Sequence, residues 1–129
     1  MTEFTFPNPP ATDPRDDAAA PAVLTEAFLR AGAFLKLSKT QLARVIGVSP
    51  ATVSRMPGRP LNPRGKDGEL ALLFLRMYRS LVSLYGGNVE QSVAWLKHDH
   101  DHFGVRPVEL IERVDGLVEV CGYLDAMRG

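Results

Sequence analysis

The chain is poor in the residues that build reactive centres. It has one cysteine, one tryptophan and three histidines among 129 residues, and none of its apolar runs approaches the ~20 residues of a membrane span. A lone thiol cannot cross-link its own chain, which points to a reducing compartment, and nothing in its surroundings marks Cys121 as a nucleophile. No basic stretch followed by an apolar one opens the sequence, so a cytoplasmic protein without a leader is expected. CxxC pairs, a phosphate-cradling glycine loop, a catalytic triad and a motif-placed carboxylate pair are all missing. These absences predict a protein that is not an enzyme and needs no cofactor. No alternating strand pattern competes with the helical periodicities below, so the fold class is all-α.

Charge is balanced in total but not along the chain. Net charge is zero, yet residues 30–66 carry eight cations (Arg30, Lys36, Lys39, Arg44, Arg55, Arg59, Arg64, Lys66) and no acid. Residues 67–129 hold ten acids against six cations, and residues 1–21 have a net charge of −3. A basic block beside an acidic one suggests that one half meets a polyanion and the other half a different partner.

Five of the ten prolines fall in residues 1–21, with acids and small residues, which predicts a disordered tail with too little apolar material to offset ordering. Helical spacing begins after it, with Val23, Leu24, Ala27, Phe28, Ala31, Phe34 and Leu35 in one stripe over about 22–35. The stretch SKTQLARVIGVSPATVSRM then opens on an S-x-x-Q capping box (Ser38, Gln41) and breaks at Gly47. It restarts with Ser49 as cap and Pro50 at the first helical position. MPGRPLNPRGKDG reads as a linker. The long helix after it is apolar on two stripes (Leu70, Leu73, Phe74, Met77, Tyr78, Leu81 and Tyr85, then Leu72, Leu75 and Val82), so it is buried on more than one side. Asn88 and Gln91 suggest a second capping box, Pro107 opens a short helix, and Gly116 starts the last one, with Leu117, Val120, Cys121 and Leu124 inward. The expected organisation is a tail at 1–21, a DNA-binding region at 22–66 that contains the two short helices, and a helical domain at 67–129.

The two short helices have the spacing of a helix-turn-helix. Ala43 stands at the crossing, Gly47 in the turn, and Val53 and Met56 lie beneath the second helix. In that motif the second helix enters the major groove, which directs Ser49, Ala51, Thr52 and Arg55 toward base edges, with Arg55 suited to guanine. Ser49 serves equally as a cap. Lys39, Thr40, Arg44 and Arg59 are placed for phosphates, which supply affinity without sequence choice. The short side chains of the second helix predict modest specificity per monomer, which a homodimer on two half-sites repairs.

The most conspicuous polar stretch, HDHDH, carries His98, His100 and His102. Imidazoles two residues apart converge on one metal only where the backbone is extended, which a loop permits. All the nitrogen ligands would then come from five consecutive residues, since no other histidine exists. The Asp at i+4 of the H-x-H-x-D-H metallohydrolase signature is replaced by His102. A solvated interhelical loop, a pH-sensitive rim or a contact for a partner fits better than a metal centre.

The second half supports a narrower comparison. WLKHDHDHFGVRPVELIERVDGLVEVCGYLDAMRG resembles the toxin-binding domain of the Xre/MbcA/ParS antitoxins, which neutralise RES-domain toxins. The resemblance is carried by Trp95 and Leu96, a short loop, Pro107 with Leu110 and Ile111, Gly116, and Tyr123 with Leu124, over about residues 69–129. The preceding helix-turn-helix fits the same family. The resemblance implies an antitoxin that covers the NAD-binding cleft of an NAD-consuming or ADP-ribosylating toxin and represses its own operon at operator DNA. It also implies a homodimer within the toxin complex and a toxin-binding and dimerisation domain at 67–129. Trp95, Pro107, Tyr123, Leu124, Met127, Arg128 and Gly129 are the implied toxin-binding residues, with Arg128 and the Gly129 carboxylate reaching into the cleft. Leu124 lies on the inward stripe, which makes it a core residue as readily as a contact. The competing reading is a plain dimeric helix-turn-helix regulator without a toxin partner.

Overall fold

A computed structural model describes residues 20–128. The expected tail at 1–21, apart from its last two residues, and Gly129 lie outside the described residues. Seven helices are present among those described: α1 (Pro21–Phe34), α2 (Lys39–Ile46), α3 (Pro50–Ser54), α4 (Lys66–Leu84), α5 (Val89–Lys97), α6 (Pro107–Leu110) and α7 (Val114–Arg128). The all-α expectation holds, and the only extended pairing among the described residues is an isolated antiparallel bridge between His100 and Val105.

The cap chemistry of the two-helix unit is formed as its sequence predicts. Ser38 Oγ accepts the Gln41 backbone N–H at 3.0 Å while the Ser38 N–H donates to the Gln41 side chain at 2.8 Å. Gly47 has φ +75°, a left-handed stop that a side chain rarely adopts. Ser49 accepts the Thr52 N–H at 3.2 Å, and Pro50 occupies the first turn of α3. Asn88 caps α5 by accepting the Gln91 N–H at 2.8 Å.

Three boundaries differ from expectation. α1 begins at Pro21, where a proline's missing N–H costs nothing. α4 begins at Lys66, inside the stretch read as linker, because Asp67 and Glu69 place negative charge at its N-terminal dipole. α7 begins at Val114 rather than Gly116, so α6 is a short turn of helix that ends at Leu110.

α4 is the spine of the molecule. Its neighbours are α1 and α2 from the N-terminal half and α5 and α7 from the C-terminal half, which is why its apolar stripe is double. Phe28 of α1 meets Phe74 of α4 edge to face at 5.5 Å, and both are fully buried. Leu24, Leu35, Ile46, Leu61, Met77, Leu81, Leu96, Ile111, Leu117 and Leu124 extend the same continuous core through both halves. Two polar contacts join the halves at the surface: Arg44 of α2 pairs with Glu112 at 3.6 Å, and Lys97 Nζ donates to Lys36 O at 2.6 Å. The helix-turn-helix and the C-terminal helices therefore share one hydrophobic interior.

Candidate functional site

Two surfaces carry the residues singled out in the sequence. On the first, the α2–α3 pair stands on buried Ala43, Val53 and Met56, as a helix-turn-helix requires. Lys39, Thr40, Ser49, Ala51, Arg55 and Arg59 are exposed, and Thr52 is half-buried. The hydroxyls of Ser49 and Thr52 lie 3.0 Å apart and share the cap, so part of their hydrogen-bonding capacity is spent within the protein. Arg44 is turned toward Glu112 instead of standing with the other cations. Arg55 N–H closes the end of α3 on Ala51 and Thr52, and Arg59 N–H then donates to Arg55 O at 3.2 Å, so the two arginines follow each other by one turn.

The second surface is built where α5, the HDHDH loop and α7 meet. Trp95 and Tyr123 stack with centroids 6.3 Å apart and planes 27° apart. Phe103 packs on Tyr123 at 5.1 Å, His102 at 4.6 Å and His100 at 5.2 Å. His100 also sits 5.3 Å from Trp95. The loop is thus more than a solvated connection: two of its imidazoles are aromatic packing partners, and only His98 stands apart. A tight turn holds it, with the Gly104 N–H donating to His100 O at 2.8 Å and the His100 N–H to Val105 O at 3.1 Å.

The ring nitrogens are turned to separate partners. His98 Nδ1 donates to Ala94 O at 2.8 Å, while His100 Nδ1 accepts the His102 backbone N–H at 3.1 Å. Among the described residues, no three His, Cys, Asp or Glu side chains are gathered as a metal requires.

The implied toxin-binding residues divide into two groups. Trp95 and Tyr123 are half-buried in the aromatic cluster, Met127 is 56% exposed, and Arg128 is exposed. Tyr123 and Met127 are four apart and share a face of α7. Pro107 and Leu124 are buried, Leu124 at 0% on the inward stripe of α7; they support the helices instead of offering a surface. Gly129 lies outside the described residues.

A polar junction between α4 and α7 was missed in the sequence. Asp125 accepts the Ser80 hydroxyl at 2.7 Å and the Arg76 guanidinium, and Arg128 lies 3.9 Å away. The Ser80 hydrogen bond and then the Arg76 contact hold the Asp125 carboxyl below its ordinary value against the opposing effect of burial. Ser80 is fully buried in the middle of the α4 stripe; a serine at an inward position was the available signal. Cys121, beside it, has its thiol pushed up by burial, which keeps it protonated and unreactive.

Comparisons with known proteins match both halves. Residues 14–76 match the antitoxin Xre-like helix-turn-helix domain, and residues 80–129 match the antitoxin Xre/MbcA/ParS C-terminal toxin-binding domain. Together the matches cover the chain from residue 14 to its end apart from residues 77–79, and they meet inside α4. Comparison with curated proteins gives no match.

Proposed function

The chain belongs to the Xre/MbcA/ParS family of antitoxins, and from that premise we propose that it neutralises a RES-domain toxin by covering its active-site cleft and represses its own operon through α2 and α3. The toxin is one that consumes NAD, by degrading it or by ADP-ribosylating a protein. The observation that carries this reading is the end of α7, where exposed Met127 follows Tyr123 on the face that bears the aromatic cluster. A plug needs a rigid helix with a projecting tip. α7 is held rigid by buried Leu117, Val120, Cys121 and Leu124 and by the Asp125–Ser80 bond. Arg128, exposed in the last turn of α7, extends that tip toward the cleft. Trp95, through its stack on Tyr123, fixes the face, while Pro107 and Leu124 act from within by positioning α6 and α7.

On the DNA side, Arg55, Ala51, Thr52 and Ser49 approach base edges, and Lys39, Thr40 and Arg59 approach phosphates. A homodimer would place two such units on half-sites about one DNA turn apart. The cytoplasm is the compartment in which both partners occur. Among the described residues, no helix is long and apolar enough to cross a membrane.

The alternative, a plain dimeric regulator whose C-terminal helices only self-associate, has Val114 and Val118 in its favour. They lie four apart on α7 and are 52% and 53% exposed. The NAD-consuming activity of the protein encoded next to this one separates the readings. The antitoxin reading predicts that the full chain suppresses that activity and that a chain ending at Ala126 does not. Unchanged activity in the presence of the full chain would leave the plain regulator.

A further inference from the structure

The segment between α3 and α4 reads as a Pro/Gly-rich linker, but its structure is that of a fixed element. Leu61, in its middle, is buried at 2%, and Pro63 is buried as well. The Leu61 N–H donates to Thr25 Oγ1 at 2.8 Å, and that hydroxyl, on fully buried Thr25 of α1, donates in turn to Pro21 O at 2.6 Å. Asn62 folds the chain back: its side-chain oxygen accepts the Arg64 N–H at 3.0 Å and its carbonyl accepts the Gly65 N–H at 2.9 Å. The first turn of α4 then closes directly on it, since a Cβ at Gly68 would come within 1.8 Å of Asn62 O. Buried Leu61 and Pro63 alternate with exposed Pro60, Asn62 and Arg64, and Arg59 projects at the near end, one turn beyond Arg55.

We infer that residues 57–65 form a second DNA-binding element, a pinned basic loop in which Arg59 and Arg64 grip the phosphate backbone beside the bases reached by α3. This rests on the reading of α2–α3 as a DNA-binding helix-turn-helix. α3 has five residues and few side-chain donors, so it needs phosphate contacts to hold its register. A flexible linker would forfeit such contacts to ordering entropy, whereas a loop fixed before binding does not. Residues 30–66 contain no acid, so cations dominate the loop up to the acidic first turn of α4, which holds Asp67 and Glu69. Thr25, fully buried, is a positioning residue whose hydroxyl sets where Arg59 and Arg64 stand.

The test is fluorescence anisotropy of the full chain with a duplex from its own promoter and with a random duplex, over a salt series. Arg64→Ala should weaken binding to both duplexes by roughly five- to tenfold near ~0.1 M salt and reduce the slope of log K against log[salt] by about 0.9, the loss of one phosphate contact. Arg59→Ala should do the same. Thr25→Val, which removes the acceptor and retains the shape, should reduce affinity and slope with helical content unchanged, and Thr25→Ser should restore both. If Thr25→Val does not fold, the two surface arginine variants decide. An unchanged slope in Arg59→Ala and Arg64→Ala, with Arg55→Ala weakened, would overturn the loop while leaving the helix-turn-helix reading intact. Failure of the wild-type chain to bind either duplex would overturn the DNA reading and the loop together.

Discussion

Trp95 near the end of α5 and Tyr123 in α7 stack with ring planes 27° apart, and the imidazoles of His100 and His102 and the ring of Phe103 pack against Tyr123. The pair turns a polar loop and two helices into one surface.

Removing Tyr123 should therefore do two things at once. Tyr123→Ala removes the ring contacts to Trp95, His100, His102 and Phe103, at ~0.5–1.5 kcal/mol for each aromatic pair beyond burial. Denaturant unfolding should show a loss of about 1–3 kcal/mol, and binding of the neighbouring toxin should weaken. Tyr123→Phe keeps the rings and should unfold close to wild type.

Leu124 and Met127, three residues apart on α7, should behave in opposite ways. Leu124 is fully buried, so Leu124→Ala should cost about 2–5 kcal/mol of stability through lost transfer energy and a cavity. Met127 is more than half exposed, so Met127→Ala should change stability by no more than ~0.5 kcal/mol and yet reduce toxin binding. Equal effects of the two on unfolding would show that the face is assigned wrongly.

Much of this molecule was legible in its sequence because the signals were local. The Ser38–Gln41 box, the Gly47 stop and the Ser49–Pro50 restart lie within a few residues of the groups they satisfy, and all three form. The double stripe of α4 announced burial on two sides. What stayed hidden depends on distant partners. The HDHDH loop reads as polar, yet His100 and His102 pack on rings supplied by α5 and α7. MPGRPLNPRGKDG reads as a linker because its composition is that of one, whereas Thr25, on another helix, pins it. Arg44 reads as one more cation of the basic block, and its ion pair with Glu112 of the other half was not legible.

Acid should loosen α7 through Asp125. Its carboxyl is held low in the folded chain by Ser80 first and Arg76 next. The stabilisation is thus fully present above the unfolded carboxyl's value of ~3.9 and is lost as pH falls through the lower folded value. Asp125→Asn should lower stability near neutral pH and flatten the dependence below about pH 4. Unfolding midpoints of the two proteins across that range provide the check, and parallel curves would count against the junction.

Metal should not matter to this fold. His98 and His100 each commit a ring nitrogen to the backbone, so a chelator should leave the unfolding temperature unchanged and added zinc should not raise it. Replacing His98, His100 and His102 by Asn should cost modest stability, through the rings lost from the cluster, and should leave the helices formed.

The most direct measurement is co-expression of the chain, tagged at its N-terminus, with the protein encoded beside it, followed by purification and sizing. The account predicts a stoichiometric complex that survives Arg55→Ala and is lost when the chain ends at Ala126. A chain that purifies without its neighbour while still binding its promoter would contradict it.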